Sequence, residues 1–232
     1  MAAGRVALVT GGTGALGSAI VRRLLADGAV VAAPYVVDEE RDRLLGALAE
    51  GERARVEVER CDVTDGAAVD ALVASLIARH GRLDVLVMAV GGFAGGRLVE
   101  TDRATWDSML AMNLTSAFVA ARAVVPHMIA ARSGRVVVIG SRAVVPPAPG
   151  FIAYTAAKAG VIALAQALAQ EVKADGVTVN VVLPSTMDTP ANRAAMPDVD
   201  PRTWVPVAAV ADAIGFLTSP GAGYVNGTLL AM

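Results

Sequence analysis

Short apolar runs rich in valine alternate along this chain with longer stretches in which apolar residues recur every three or four positions. The runs at 5–10, 30–35, 54–61, 84–89, 135–140, 177–183 and 225–230 read as strands. Helical periodicity occupies 16–27, 39–50, 67–80, 105–132, 154–175 and 207–217. Strand and helix alternating at this spacing predict right-handed βαβ units. The expected architecture is a doubly wound α/β fold, with a mainly parallel seven-stranded sheet and helices on both faces. Neither a low-complexity linker nor an internal repeat divides the chain, so residues 1–232 are expected to form a single dinucleotide-binding and catalytic domain.

One segment breaks the alternation. Residues 184–206 carry Pro184, Pro190, Pro197, Pro201 and Pro206, which excludes a single regular element. In open parallel sheets the ligand crevice lies beyond the carboxyl ends of the strands. A long connection leaving the sixth strand is therefore predicted to be a substrate lid over that crevice.

Composition narrows the classes. Apolar residues make up 55% and charged residues 18%, against about 45–50% and 25% in ordinary soluble domains. The excess is mostly alanine and valine, which suits a parallel sheet covered on both faces. No apolar run is expected to reach the ~18 residues of a membrane span, and because the start of the chain enters a strand-like run at once, no signal peptide is expected. The net charge of −2 argues against a nucleic-acid surface. A lone cysteine, Cys61, permits no internal disulfide and fits a reducing, cytoplasmic setting. His80 and His127 lie far apart and no metal-ligand spacing occurs, so no metal site is expected.

The first strand runs into Thr10-Gly11-Gly12-Thr13-Gly14-Ala15-Leu16-Gly17, directly before an amphipathic helix. Glycines there allow a tight turn and let the backbone approach a pyrophosphate at a helix N-terminus, where free N–H groups and the dipole favour an anion. The adenosine ribose is read near the end of the second strand, by an acid for NAD or by basic neighbours for NADP. Tyr35 occupies that position, with neither an acid nor an arginine beside it in sequence. Asp38 could reach back or cap the next helix, so NAD versus NADP stays open.

Tyr154 and Lys158 stand at i and i+4 on one helical face. A phenol with an ordinary pKa of ~10 is a poor acid–base catalyst at neutral pH, and a nearby ammonium is expected to lower it. The chain holds three tyrosines and only two lysines, Lys158 and Lys173, which makes this pairing informative. Ser141 lies thirteen residues before Tyr154 at the end of the fifth strand, where its hydroxyl could bond the substrate oxygen that Tyr154 protonates. Asn113 is a fourth polar candidate, within the long helical run before that strand. Arg142, next to Ser141, reads as a solvated arginine at the strand end, with an anionic substrate group as the alternative contact.

Taken together, these residues resemble the short-chain dehydrogenase/reductase family over nearly the whole chain. The resemblance implies a Rossmann fold, with Tyr154 as general acid/base and Lys158 tuning it and holding the nicotinamide ribose. Ser141 would orient the carbonyl and Asn113 would support a proton relay. Cofactor contacts would come from Gly11, Thr13, Gly14, Ala15, Leu16 and Gly17, from Tyr35, Asp62 and Val63 around the adenosine, from Ala89, Val90 and Gly91, and from Pro184 and Thr189. The cofactor would be NAD or NADP, and paired long helices would make a homodimer or homotetramer. Three departures stand out: Ala15 for the middle glycine, Met88-Ala89-Val90-Gly91 for the usual Asn-Asn-Ala-Gly, and Pro184-Ser185 for Pro-Gly.

A narrower resemblance, to dihydropteridine reductases, covers residues 91–96 and 183–204. Those enzymes reduce a quinonoid dihydropterin and lack the catalytic serine, so Ser141 departs from them. Phe93, Ser141, Val144, Met187 and Trp204 are the expected substrate pocket, with Val145 beside them. The leading expectation is hydride transfer between NAD(P)H and a carbonyl or alcohol. Pterin reduction is the alternative, and a non-catalytic dinucleotide-binding protein the third reading.

Overall fold

The computed structural model describes residues 4–232. Seven strands form one parallel sheet: β1 (Val6–Thr10), β2 (Val30–Ala32), β3 (Val56–Glu57), β4 (Val85–Met88), β5 (Gly134–Ile139), β6 (Val177–Leu183) and β9 (Leu229–Ala231), in the order β3-β2-β1-β4-β5-β6-β9. The order reverses between β1 and β4. That switch point is where ligands enter doubly wound sheets. β1, β4 and β6 are buried along their entire length because helices cover both faces.

One face packs α4 (Gly66–His80), α6 (Ser116–Ala131) and α7 (Ile152–Glu171), through Leu72, Leu76, Val124, Met128 and Val161. The other packs α1 (Ala15–Ala26) and α9 (Val207–Thr218), through Ile20, Leu24, Val210 and Ile214. Side-chain valence at the helix ends sets the boundaries. Asp65 accepts from the N–H groups of Ala67 and Ala68 at 2.9 and 3.3 Å, and Gly81 at φ +70° ends the same helix.

The expected elements are all present, with shifted bounds. The helix expected over 39–50 divides into α2 (Asp38–Gly46) and α3 (Glu50–Arg53), and only Val56–Glu57 of the strand expected at 54–61 is regular, with a single further parallel bridge between Tyr35 and Arg60. The last strand begins at Leu229 rather than 225 because the preceding turn is tied down by side chains. Buried Asn180 donates to the Val225 carbonyl at 2.8 Å and accepts from Thr228 N–H at 3.1 Å.

The long run at 105–132 is also interrupted. α5 (Arg103–Leu110) passes through one π-helical turn, 111–115, into α6. Contrary to expectation, Arg103–Ala131 and Ile152–Glu171 are long and apolar enough to cross a membrane by length and composition. Alanine supplies much of that apolarity, and each helix lays one face on the sheet. The proline-rich segment is several short pieces: β7 (Met187–Asp188) pairs with β8 (Val205–Pro206), and α8 (Pro190–Ala195) lies between them.

Candidate active site

The carboxyl ends of β1, β4, β5 and β6 open into one cleft of about 1050 Å³. Its floor begins at the glycine-rich turn. Gly11 takes φ +70°, and a Cβ on Gly17 would stand 1.9 Å from the Gly11 carbonyl oxygen, so the helix meets the turn at a distance only glycine allows. Gly14 is the N-cap of α1, which therefore has no side-chain cap, and its first turn holds no acid. Its leading N–H groups and its dipole are thus left for an anion. Gly11, Gly14, Ala15, Leu16 and Gly17 all line the cleft.

Asn113 sits in the π-helical turn, 2% exposed. Its amide nitrogen donates to the carbonyls of Met109 at 3.0 Å and Gly92 at 3.1 Å, and its oxygen accepts from Gly92 N–H at 3.2 Å. π turns recur at functional sites because they re-aim a side chain. Here the turn aims Asn113 at the loop after β4. That loop lacks the family's asparagines, and Asn113 holds it from outside. Gly91 completes the fit, since a Cβ there would lie 2.9 Å from Asn113 Oδ1 and 3.2 Å from Lys158 Nζ.

Lys158 is 5% exposed and donates to the Ile139 carbonyl at the end of β5, at 2.8 Å. Burial depresses its ammonium to about 8. Burial pushes the Tyr154 phenol above its ordinary value, and the Ser141 hydroxyl facing it pulls partly back. The expected lowering of Tyr154 by Lys158 does not appear. Lys158 points at Ile139, and desolvation dominates the phenol. Ser141, itself buried, accepts from Ala143 N–H at 3.2 Å.

Ala89, Gly91, Phe93, Asn113, Ser141, Tyr154 and Lys158 come together in the cleft, with Pro184, Met187 and Thr189 opposite. The Thr189 hydroxyl caps α8 by accepting from Asn192 N–H at 3.2 Å. Val144 and Trp204 do not line the cleft. Val144 turns into the core beside the sheet while Val145, 60% exposed, takes the cleft side, and Trp204 is buried away from it. Val90 packs against the core, and Thr13, Tyr35, Asp62 and Val63 also lie outside the cleft walls. Asp62 holds Thr64 by its N–H at 2.9 Å, which keeps its carboxyl below the usual range. Tyr35 does have arginines beside it, contrary to the local sequence: Arg41 and Arg60 place guanidinium groups 4.9 and 5.3 Å from its ring centroid.

Sequence reasoning missed Phe151 and gave no role to Asn192 or Met196, all of which line the cleft. Phe93 bridges Phe151 and Tyr154, with ring centroids 5.0 and 5.1 Å away. Only the position of Phe151, three residues before Tyr154, hinted at this.

The pattern of the short chain dehydrogenase family matches residues 5–200. The chain is 32% identical over 238 residues to the 3-oxoacyl-[acyl-carrier-protein] reductase FabG of Escherichia coli K12, covering 98% of this chain and 95% of that one. Among solved structures, levodione reductase superposes with a TM-score of 0.91 at 28% identity, over 98% of this chain and 95% of that one. A short-chain dehydrogenase/reductase from Burkholderia xenovorans gives 0.89 at 36% identity, over 99% and 95%.

Proposed function

The chain belongs to the short-chain dehydrogenase family and is an oxidoreductase using NAD or NADP, and from that premise we propose that it reduces a carbonyl compound, or oxidises the matching alcohol, with Tyr154 as the general acid/base. The observation that carries this reading is the meeting of Ser141, Tyr154 and Lys158 in one cleft with the glycine-rich turn. The bound dinucleotide supplies or accepts the hydride.

In the reducing direction the substrate oxygen lies between the hydroxyls of Ser141 and Tyr154. Ser141 donates a hydrogen bond as negative charge grows on that oxygen. Tyr154 then transfers its proton. Its raised pKa keeps the phenol protonated at neutral pH, which is the form reduction needs. Lys158, buried beside Gly91, holds the nicotinamide ribose. Asn113 fixes the loop that bears Gly91 and Gly92. Thr189, Pro184 and the pieces of 184–206 form the opposite wall, which acts as the lid. The long apolar helices pair subunits, and the enzyme works in the cytoplasm.

Ser141 in the cleft favours ordinary carbonyl chemistry over pterin reduction. The test is oxidation of NADH and NADPH by the purified protein, with a panel of ketones and aldehydes beside quinonoid dihydropterin. Turnover confined to the pterin would sink the carbonyl reading. Tyr154→Phe is expected to lower kcat by about 10²–10⁴-fold while dinucleotide binding persists, and full turnover in that variant would remove the acid/base role.

A further inference from the structure

We propose that this enzyme selects NAD(H) over NADP(H), and that Glu40 reads the adenosine ribose from the first turn of α2. The inference rests on the dinucleotide reading above and adds to it the identity of the cofactor.

In dinucleotide-binding βαβ units the ribose 2′-hydroxyl lies between the glycine-rich turn and the end of the second strand, where an acid ~20 residues past the glycines holds it. The end of β2 offers no such acid: Ala33 and Pro34 are buried, and Tyr35 follows. The carboxylate arrives through space instead. Glu40 Oε2 accepts from the Thr13 hydroxyl at 3.1 Å, linking α2 to the glycine-rich turn across 27 residues. Thr13 is 4% exposed, so this bond is part of the turn's own packing. Among the described residues Glu40 makes no ion pair.

Two arginines stand close by, and their sign alone would argue for a 2′-phosphate. Both are already paired with carboxylates. Arg41 binds the Tyr35 hydroxyl at 2.8 Å, Asp38 at 2.7 Å and Asp42 at 2.8 Å. Arg60 binds the Val36 carbonyl at 2.9 Å and pairs with Asp38. Both guanidinium groups also lie against the Tyr35 ring. Three carboxylates against two guanidiniums leave this corner with a net negative charge.

A 2′-phosphate, carrying about −1.5 to −2, would approach Glu40, which makes no ion pair among the described residues, beside two arginines already paired with Asp38 and Asp42. A ribose hydroxyl meets the opposite situation. It donates to Glu40 in a charge-assisted hydrogen bond, and Thr13 holds the carboxylate in place.

Dissociation constants for NADH and NADPH, measured by calorimetry on the full chain without substrate, test this. NADH is expected to bind at least about 10-fold tighter, with the gap narrowing between about 0.05 and 0.5 M salt as the exposed charges are screened. Glu40→Gln is expected to narrow the gap at least about 5-fold, chiefly through tighter NADPH binding, because it removes the charge and keeps the shape. Equal or tighter NADPH binding by the wild type overturns the proposal, as does an unchanged ratio in Glu40→Gln. Should Glu40→Gln fail to fold, the wild-type ratio and its salt dependence still decide. Binding of neither dinucleotide would overturn the underlying dinucleotide reading, whereas an NADPH preference overturns this inference alone.

Discussion

Lys158 carries a conflict between stability and chemistry. Its folded pKa of about 8 lies below the ordinary lysine value of ~10.4, so between those values the unfolded chain binds more protons. Stability therefore rises with pH through that window, and below about pH 8 the cost of burying the ammonium is felt in full. Lys158→Met is expected to raise the melting temperature of the cofactor-free protein at pH 7, with the advantage shrinking towards pH 10, while turnover is lost. Melting curves of both proteins across pH 7–10 check this, and a variant less stable than wild type at pH 7 would refute it. That Tyr154 and Lys158 share one face of α7 towards the cleft was legible from their spacing. The direction in which Lys158 points was not, because the acceptor at Ile139 lies on another strand.

At the scale of elements, the loop after β4 is held by a side chain from the π-helical turn rather than by its own residues. Gly91 is a tight point of that arrangement, where a Cβ would stand 2.9 Å from Asn113 Oδ1 and 3.2 Å from Lys158 Nζ. Gly91→Ala is expected to cost about 1–3 kcal/mol through overpacking and to weaken dinucleotide binding. Urea unfolding and a binding titration measure the two effects, and an unchanged midpoint with unchanged affinity would show that the loop yields freely. The strand–helix alternation was readable from periodicity, since both faces of the sheet must be apolar. The π turn was not, because one extra residue in a helical turn leaves hydrophobic spacing almost unaltered. The break between α2 and α3 was hidden for a related reason: 39–50 is so polar that it carries little periodic signal.

Across the whole molecule, the long helices retain apolar residues that the sheet does not cover. Phe118 on α6 and Ile152 on α7 are 50% and 40% exposed. Burying such surfaces against another copy removes apolar area from water, so a homodimer or homotetramer is expected by light scattering at micromolar concentration. A monomer there would count against subunit pairing. The same helices satisfy the length and composition test for a membrane span. Sequence could not tell these cases apart, because an alanine-rich face against a sheet and one against lipid have similar hydropathy.

What the sequence by itself determined is whatever rests on local spacing: the alternating βαβ chain, the glycine-rich turn, and the Ser141, Tyr154 and Lys158 set with the fold family it marks. Backbone sterics and periodic burial act over a few residues, so their signature is written in order along the chain. The tertiary structure alone decided which side of a turn Val144 and Val145 face, what Asn113 holds, and which charges surround Tyr35. Arg41, Arg60, Asp38 and Glu40 are separated by up to 22 residues and meet only when β2, β3 and α2 converge. Electrostatic balance depends on distance in space, and it is settled only once the chain has folded.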